Sequence, residues 1–298
     1  MNVDSASFKR PTTIQEMHER LRNFATPEGW QRGLSYKPDP TDVFIVTPPK
    51  CGTTWMQQIV HGLRTRGSMD FDEITRVVPW INMAHDTGID LRAQVAHPRA
   101  FKTHTVLDEV PRGGKYIVIV RDPCDTLLSE YLFMEGMFFE KGSIRLETFA
   151  RERFIPGREI HKHVNALWPR RRDPDVLPLA YENMKADLPR TVERVAQFIG
   201  IALDVELRKM VLKQSDIQFM QAHKDQFEDH IIRKARGPAM GLPSDGRLNK
   251  VRNGQVGEAK HVVPDAIKRE LDELWHREIT SKIGLNSYED LRSELAGS

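Results

Sequence analysis

The stretch Thr47-Pro-Pro-Lys-Cys-Gly-Thr-Thr-Trp55 stands between two segments with different hydrophobic patterns. Before it, Val43-Phe-Ile-Val46 is a continuous apolar run, which predicts a buried β-strand. After it, apolar residues recur at helical spacing over 53–64 and predict an α-helix. A loop between a strand and a helix presents unpaired backbone N–H groups at the positive end of the helix dipole, where anions bind.

The side chains of this loop also favour an anion. Lys50 adds a positive charge, Gly52 lets the backbone approach a ligand closely, and two threonines follow as hydroxyl donors. The loop differs from the pattern Gly-x-x-x-x-Gly-Lys-Ser/Thr of nucleotide hydrolases, because its lysine precedes the glycine. A cysteine-phosphatase loop would need arginine where the chain has Gln57. We interpret the stretch as a phosphate-binding loop; an ordinary strand-to-helix turn is the alternative.

The composition is that of an ordinary globular protein of 298 residues, with 39% hydrophobic and 29% charged residues. We expect a single domain over residues 1–298. A net charge of +2 gives no general case for nucleic-acid binding. The two cysteines, Cys51 and Cys124, provide no disulfide framework and fit a reducing compartment. The sequence shows neither a signal peptide nor a transmembrane segment, so we expect a cytoplasmic protein.

Further apolar segments predict strands at Arg99–His104, Lys115–Val120 and Val176–Ala180. Helical patterns alternate with these strands, which predicts an α/β fold: a three-layer arrangement with a parallel sheet flanked by helices. Ligands of such sheets bind at the carboxyl ends of the strands. Lys50, His104 and Arg121 each follow a predicted strand end, so we expect them on one rim of the sheet.

The segment 221–260 differs in character from the rest of the chain. It is polar and rich in glycine and proline. Long segments of this kind in a compact domain are often binding loops. We predict a mobile loop or lid here.

Two residue groups after the strands are suited to chemistry. Lys102 and His104 lie two apart on an extended segment and therefore point to the same side. A histidine beside a cation can deprotonate an acceptor while negative charge develops nearby. A structural role is the alternative, since the chain has eleven histidines. Arg121 is placed for bidentate phosphate binding, with a structural salt bridge as its alternative.

Five motifs, in this order along the chain, resemble those of the cytosolic-type sulfotransferases. Pro-Lys-Cys51-Gly-Thr-Thr-Trp55 resembles the 5′-phosphosulfate loop of that family, and Lys102-Thr-His104 its Lys-x-His pair. The run from Arg121 through Asp-Pro-Cys-Asp-Thr-Leu-Leu to Ser129 is similar to its 3′-phosphate motif. The remaining resemblances are Tyr181-Glu182, where the family has a tyrosine against adenine, and Lys250-Val-Arg-Asn-Gly-Gln-Val-Gly257, similar to the loop that closes over the 3′-phosphate.

The resemblance is looser elsewhere. Ser215 lies in a segment similar to the family's Thr-Ser-Phe near adenine, although Ile217 stands where an aromatic residue is common. Asn253 replaces a lysine of the closing loop, and the family's dimer motif is not evident. We therefore leave the oligomeric state open.

The resemblance implies a sulfotransferase fold related to the P-loop proteins, with 3′-phosphoadenosine 5′-phosphosulfate (PAPS) as donor, 3′-phosphoadenosine 5′-phosphate (PAP) as product and no metal. It implies His104 as the base, Lys50 as the group that stabilises the leaving phosphate and Lys102 as a contact of the transferring group. The implied nucleotide-binding residues are Lys50, Cys51, Gly52, Thr53, Thr54, Trp55, Arg121, Ser129, Tyr181, Ser215, Arg252, Asn253 and Gly254.

We expect the acceptor to be a small molecule with a hydroxyl or amine group: a phenol, a sterol-like compound or a lipid alcohol. The apolar residues that would line its pocket, or else belong to the core, are Trp80, Met83, Phe133, Phe138 and Phe139. Two other functions stay open at this stage, a P-loop-type small-molecule kinase and a non-catalytic nucleotide-binding protein.

Overall fold

The computed structural model describes residues 8–243 and 250–297. Its strands are β1 (Val43–Val46), β2 (Ala100–Thr103), β3 (Lys115–Val120) and β4 (Val176–Ala180). They form one parallel sheet in the order β2-β1-β3-β4. Val46 at the end of β1 pairs with Thr103 at the end of β2. The carboxyl ends of these two strands therefore meet at one edge of the sheet.

Helices precede, connect and follow the strands. In chain order they are α1 (Ile14–Leu21), α2 (Pro27–Leu34), α3 (Thr53–Thr65), α4 (Ile74–Val77), α5 (Ala84–Thr87), α6 (Pro123–Met134), α7 (Leu146–Phe149), α8 (Ile155–Gly157), α9 (Glu159–Leu167), α10 (Tyr181–Ala186), α11 (Leu188–Ile199), α12 (Val205–Gln214), α13 (Ile217–Ala222), α14 (His230–Met240), α15 (Ala259–Val262), α16 (Asp265–Trp275), α17 (Ser281–Ile283) and α18 (Tyr288–Ala296). Within the described residues, no helix combines the length and the hydropathy that a membrane span requires.

The side chains of β1 alternate between two apolar layers. Val43 and Ile45 pack with α3, α11 and α12 on one face of the sheet. Phe44 and Val46 pack with α9 and α18 on the other. All four are fully buried, because helices cover both faces, and this is why the strand reads as a continuous apolar run. The predicted three-layer α/β arrangement is confirmed.

The segment 221–260 is not the single long loop that its composition predicts. It contains α14, which buries Ile232 and Met240. This packing outweighs the helix-breaking tendency of Gly237 and Pro238 in the last turn. Residues 244–249 of the segment lie outside the described residues, and its mobility stays a prediction.

Helix α2 has no counterpart in the sequence prediction, because Gly29 and Gly33 weaken its helical signal. The structure gives the reason for the second glycine. A Cβ atom on Gly33 would lie 2.7 Å from the carbonyl oxygen of Ile81. The helix therefore packs directly on the backbone of the segment that leads to β2.

Candidate active site

The loop after β1 turns sharply before α3. Lys50 and Gly52 both adopt left-handed backbone conformations, with φ of 65° and 96°. The hydroxyl oxygens of Thr47 and Thr53 lie 2.6 Å apart and join the two ends of the loop. A Cβ atom on Gly52 would lie 2.9 Å from the ring of Tyr181, so this position also needs glycine for packing. The turn leaves the N–H groups of the first turn of α3 available to an anion.

Lys50 projects from this loop into a cavity. Its Nζ lies 4.1 Å from the ring centroid of Phe133. Burial, followed by the charge of Lys250, lowers the pKa of Lys50 to about 7. A desolvated ammonium group of this kind gains free energy when an anion binds beside it.

Cys51 points away from the cavity and is fully buried. Its Sγ lies 3.7 Å from the carbonyl oxygen of Pro49 and 3.7 Å from Oγ1 of Thr126. Burial raises the pKa of the thiol to about 12. The side chain is therefore a small packing group, and Cys51 does not line the cavity.

His104 follows β2 and is fixed by the loop after β1. Its Nδ1 lies 2.9 Å from the carbonyl oxygen of Thr47. Since a carbonyl oxygen only accepts, Nδ1 carries the proton and Nε2 keeps its lone pair. Burial, with a further contribution from Lys102, lowers the pKa of His104 to about 3. The imidazole is therefore neutral at physiological pH, as a general base must be.

Lys102 lies beside His104 against one aromatic ring. Its Nζ lies 4.8 Å from the ring centroid of Trp80, and the imidazole of His104 meets the same ring edge to face at 4.8 Å. Lys102 Nζ also lies 3.5 Å from Oδ1 of Asp229. Burial lowers the pKa of Lys102 to about 8. Lys102 and His104 thus both face the cavity, as their spacing predicts.

Arg121 connects the two loops of the site. It donates from Nη1 to the carbonyl oxygen of Lys50 and from Nη2 to that of Gln255, both at 3.2 Å. Its guanidinium lies 4.4 Å from the ring centroid of Tyr181. Its Nε has no hydrogen-bond partner among the described residues, although it is buried. A donor of this kind at a cavity wall suits an anionic ligand.

An aromatic corner lies next to this arginine. The rings of Trp55 and Tyr181 meet edge to face, with centroids 5.6 Å apart and an angle of 65° between planes. Trp55 donates from Nε1 to the carbonyl oxygen of Ser215 at 2.8 Å. The two rings therefore form a corner. They are not parallel, as they would be if they stacked on the two faces of one nucleobase.

The loop at 250–257 is held by two carboxylates. Arg252 and Asn253 both donate to Glu258, with Asn253 Nδ2 3.2 Å from Oε2. Asp125 of α6 accepts from the backbone N–H of Gly257 at 2.7 Å. The loop is thus attached to the helix that follows Arg121, and it closes one side of the site.

These groups surround one cavity of about 310 Å³. The residues predicted from sequence that line it are Lys50, Gly52, Thr53, Thr54, Trp55, Lys102, His104, Arg121, Ser129, Tyr181, Ser215, Arg252, Asn253 and Gly254. Of the predicted catalytic and nucleotide-binding residues, Cys51 is the one that does not line it. The structure therefore brings residues from all five motifs to a single place.

The opposite part of the cavity is apolar. Its wall is formed by Leu21, Phe24, Trp80, Phe133, Met134, Met137, Phe138, Ile232 and Met240. Glu130 and Arg153, 3.2 Å apart, form an ion pair in the cavity lining, and Arg233, next to Ile232, lines the cavity as well. Phe139 and Met83 do not line the cavity and belong to apolar clusters instead.

Several residues that line the cavity have no counterpart in the sequence prediction. Among them, Asp229 and Lys250 form an ion pair there, and Leu21 and Phe24 come from the N-terminal region. A signal existed for Lys250, which opens the motif that contains Arg252. Asp229 gave none, because nothing in its neighbourhood along the chain indicates contact with β2.

Comparisons with known proteins agree with this geometry. A sequence model described as the sulfotransferase domain matches residues 40–284. Human sulfotransferase 2A1 is 28% identical over 221 residues, which cover 68% of this chain and 76% of the human protein. Rat sulfotransferase 1C2 is 25% identical over 288 residues, covering 91% of this chain and 94% of the rat protein.

Solved structures share the fold. Retinol dehydratase in complex with androsterone and PAP matches with a TM-score of 0.67 at 18% identity, over 93% of this chain and 97% of the other. Mouse sulfotransferase SULT7A1 complexed with PAP gives a TM-score of 0.66 at 19% identity, over 92% and 94% of the two chains. The domain match spans the sheet and every motif of the cavity. The chain therefore belongs to the sulfotransferase family.

Proposed function

We propose that this enzyme transfers a sulfuryl group from PAPS to the hydroxyl or amine of a small apolar acceptor. One observation carries the proposal: a neutral His104, with Nε2 unprotonated, shares one cavity with Lys50 and Lys102, between an anion-binding loop and an apolar wall. An acceptor would enter from the apolar side and a phosphosulfate from the loop side. The two solved relatives hold PAP, which is the product of such a donor.

The donor would bind along the polar half of the cavity. The loop N–H groups, Thr53 and Thr54 would hold the 5′-phosphate at the start of α3. Arg121, Ser129 and Arg252 would hold the 3′-phosphate, with Asn253 and Gly254 beside it. The adenine would lie in the corner between Trp55 and Tyr181, near Ser215. These placements use every predicted nucleotide-binding residue except Cys51, which does not line the cavity.

The transfer would need one base and a stabilised leaving group. The acceptor oxygen forms its bond to sulfur while the bond between sulfur and the bridging phosphate oxygen breaks. The acceptor proton passes to Nε2 of His104. Negative charge that develops on the bridging oxygen is stabilised by Lys50, and Lys102 contacts the transferring group. PAP and the sulfated acceptor are the products.

The apolar half of the cavity suits a phenol, a sterol-like compound or a lipid alcohol. Aromatic and methionine side chains dominate its wall, and such side chains adapt to flat or extended apolar molecules. The retinol dehydratase structure contains androsterone, and a guinea-pig relative is named a 3-beta-hydroxysteroid sulfotransferase. We therefore expect a hydrophobic alcohol among the acceptors.

A thermal-shift titration tests the donor assignment. We expect PAP to raise the melting temperature well above the effects of 5′-AMP and of ATP with Mg²⁺, in buffer with and without EDTA. A ligand at 100 times its Kd stabilises the folded state by about 2.7 kcal/mol. Ser129→Ala should reduce the preference for PAP over 5′-AMP by ~3–10-fold, because it removes one hydrogen bond to the 3′-phosphate. Stabilisation by ATP with Mg²⁺ alone would favour a kinase and overturn the proposal.

Donor binding should depend on pH. Lys50, with a pKa of about 7, is largely neutral at alkaline pH in the free protein. Bound phosphate favours its charged form, so binding takes up protons and PAP affinity falls as pH rises from 7 to 9. The fall should reach up to ~tenfold per pH unit while Lys50 titrates.

Isothermal titration calorimetry in two buffers of different ionisation enthalpy measures this proton uptake directly. Lys50→Met should remove part of the uptake, whereas Lys213→Met, at an exposed position on α12, should leave it unchanged. A PAP affinity that stays constant from pH 7 to 9, with no proton uptake, would contradict the prediction.

A further inference from the structure

Asp229 brings together groups from three distant parts of the chain. Its Oδ1 lies 3.5 Å from Nζ of Lys102 and accepts a hydrogen bond from Oγ1 of Thr75 at 3.2 Å. The same oxygen forms an ion pair with Nζ of Lys250. The side chain of Asp229 is only 11% exposed, and those of Lys102 and Lys250 are 3% and 8% exposed. The two lysines therefore share one buried carboxylate oxygen.

This arrangement places Lys250 in the lining of the cavity, beside Lys102. Because Nζ of Lys102 and Nζ of Lys250 contact the same oxygen atom, the distance between these two nitrogens cannot exceed the sum of the two ion-pair distances. After burial, the charge of Lys250 is the largest cause that lowers the pKa of Lys50. Its charge also makes a smaller contribution to the lowered pKa of His104, after burial, Lys102 and His163. Lys250 is thus a near neighbour of Lys102, and its charge acts on Lys50 as well.

Positive charge exceeds negative charge at this point. Asp229 is the one carboxylate that contacts Lys102 and Lys250 among the described residues. The next acidic group, Glu73, contacts neither lysine. Its Oε2 accepts from the N–H of Ile231 at 2.8 Å and lies 3.1 Å from Nδ1 of His230, and its buried Oε1 has no hydrogen-bond partner among the described residues. One carboxylate faces two lysines, with Lys50 nearby. A buried excess of positive charge is stabilised when an anion binds beside it.

We propose that Lys250 is a further donor-binding residue that contacts the sulfuryl end of PAPS together with Lys102, and that Asp229 positions both lysines for this contact. The inference rests on the proposed function. The sulfuryl end is indicated because Lys102 lies next to His104, where the acceptor is deprotonated. The 3′-phosphate would lie instead near Arg121 and Arg252.

Asp229 also connects the donor side with the acceptor side. It immediately precedes α14, whose Ile232 and Met240 form part of the apolar wall. Lys250 lies two residues before Arg252, in the loop that closes over the nucleotide. The carboxylate therefore fixes the position of the acceptor wall relative to the donor loop through the two lysines.

Direct binding of PAPS and PAP to the full chain, measured by calorimetry without an acceptor, tests the proposal. The two ligands differ only in the sulfuryl group. We expect Lys250→Met to weaken PAPS binding by ~10-fold or more and to change PAP binding by less than about twofold, because one charge-assisted contact is lost. Lys250→Arg should restore most of the PAPS affinity. Lys213→Met is the matched control for removing a lysine and should change neither affinity.

Asp229→Asn should produce the same selective loss, since the neutral amide no longer holds the two lysines, and Asp229→Glu should recover part of it. Unchanged PAP binding shows that each variant is folded. Equal weakening of PAPS and PAP, or no weakening of either, would overturn the proposal. Should Lys250→Met lose PAP binding together with thermal stability, Lys250→Gln is measured by the same criterion. Failure of the unsubstituted protein to bind PAP would instead refute the proposed function.

Discussion

Replacing His104 by alanine should reduce turnover by ~10²–10⁴-fold while leaving PAP affinity nearly unchanged, since a positioned general base contributes about that much to the rate. His104 is the base in the proposed reaction because its Nδ1 donates to the carbonyl oxygen of Thr47 and its Nε2 is free to accept a proton. The measurement is release of PAP at saturating PAPS, with a panel of phenols, sterols and lipid alcohols, beside calorimetric PAP binding.

A second variant separates the base from the hydrogen bond. His104→Asn offers an amide N–H near the position of Nδ1, so it can keep the bond to Thr47, but it has no basic nitrogen. We expect it to be as inactive as the alanine variant and more stable. His85→Ala, at an exposed histidine of α5, is the control and should retain full activity. Turnover within about tenfold of the unsubstituted enzyme in His104→Asn would refute the base assignment.

The pKa of His104 adds a condition to this test. Because that pKa is lowered to about 3, the imidazole stays neutral throughout the range from pH 5 to 8. The rate should therefore show no acidic limb from this group in that range. Catalysis that declines below pH 6 in the unsubstituted enzyme and not in His104→Asn would contradict the lowered pKa.

Replacing Lys50 by methionine should reduce the rate by ~10²–10³-fold, a loss typical of one electrostatic contact to a developing anion. Lys50 is placed at the turn of the loop and its ammonium is desolvated beside Phe133. A desolvated charge interacts more strongly with charge on the leaving oxygen than an exposed one does. Single-turnover transfer from PAPS measures the chemical step without product release.

Lys50→Arg is the informative companion variant, because it keeps the charge and changes its geometry. We expect intermediate activity. The melting temperature of Lys50→Met should not fall, since the substitution removes a buried charge that the free protein does not pair. A chemical step that is unchanged in Lys50→Met would show that other groups stabilise the leaving phosphate.

Much of the fold was predictable because the strands are covered on both faces. The segments Val43–Val46 and Val176–Ala180 are apolar throughout, and Lys115–Val120 is apolar after its first residue; the structure has strands at those bounds. The polar half of the cavity was predictable for another reason. Its residues lie in short motifs that follow the strands. Because the carboxyl ends of parallel strands meet at one edge of the sheet, these motifs are brought together there.

Other parts depend on contacts between distant segments, which local patterns do not report. Asp229 lies 127 positions after Lys102, its partner in the cavity. Leu21 and Phe24 line the cavity because the N-terminal region packs against Trp80 and α14, which are distant in the sequence. Helix α14 forms because Ile232 and Met240 are buried, although Gly237 and Pro238 predict a break. The residues that form the apolar wall are therefore the part of the site that the sequence predicts least well.

The backbone of Lys50 has a consequence for engineering. Its φ of 65° is a conformation that costs an L-residue about 1 kcal/mol relative to glycine, and its ammonium is desolvated as well. Directed evolution of this enzyme has to hold position 50 constant, because the residue that weakens the fold there is the one to which the proposed mechanism assigns stabilisation of the leaving phosphate.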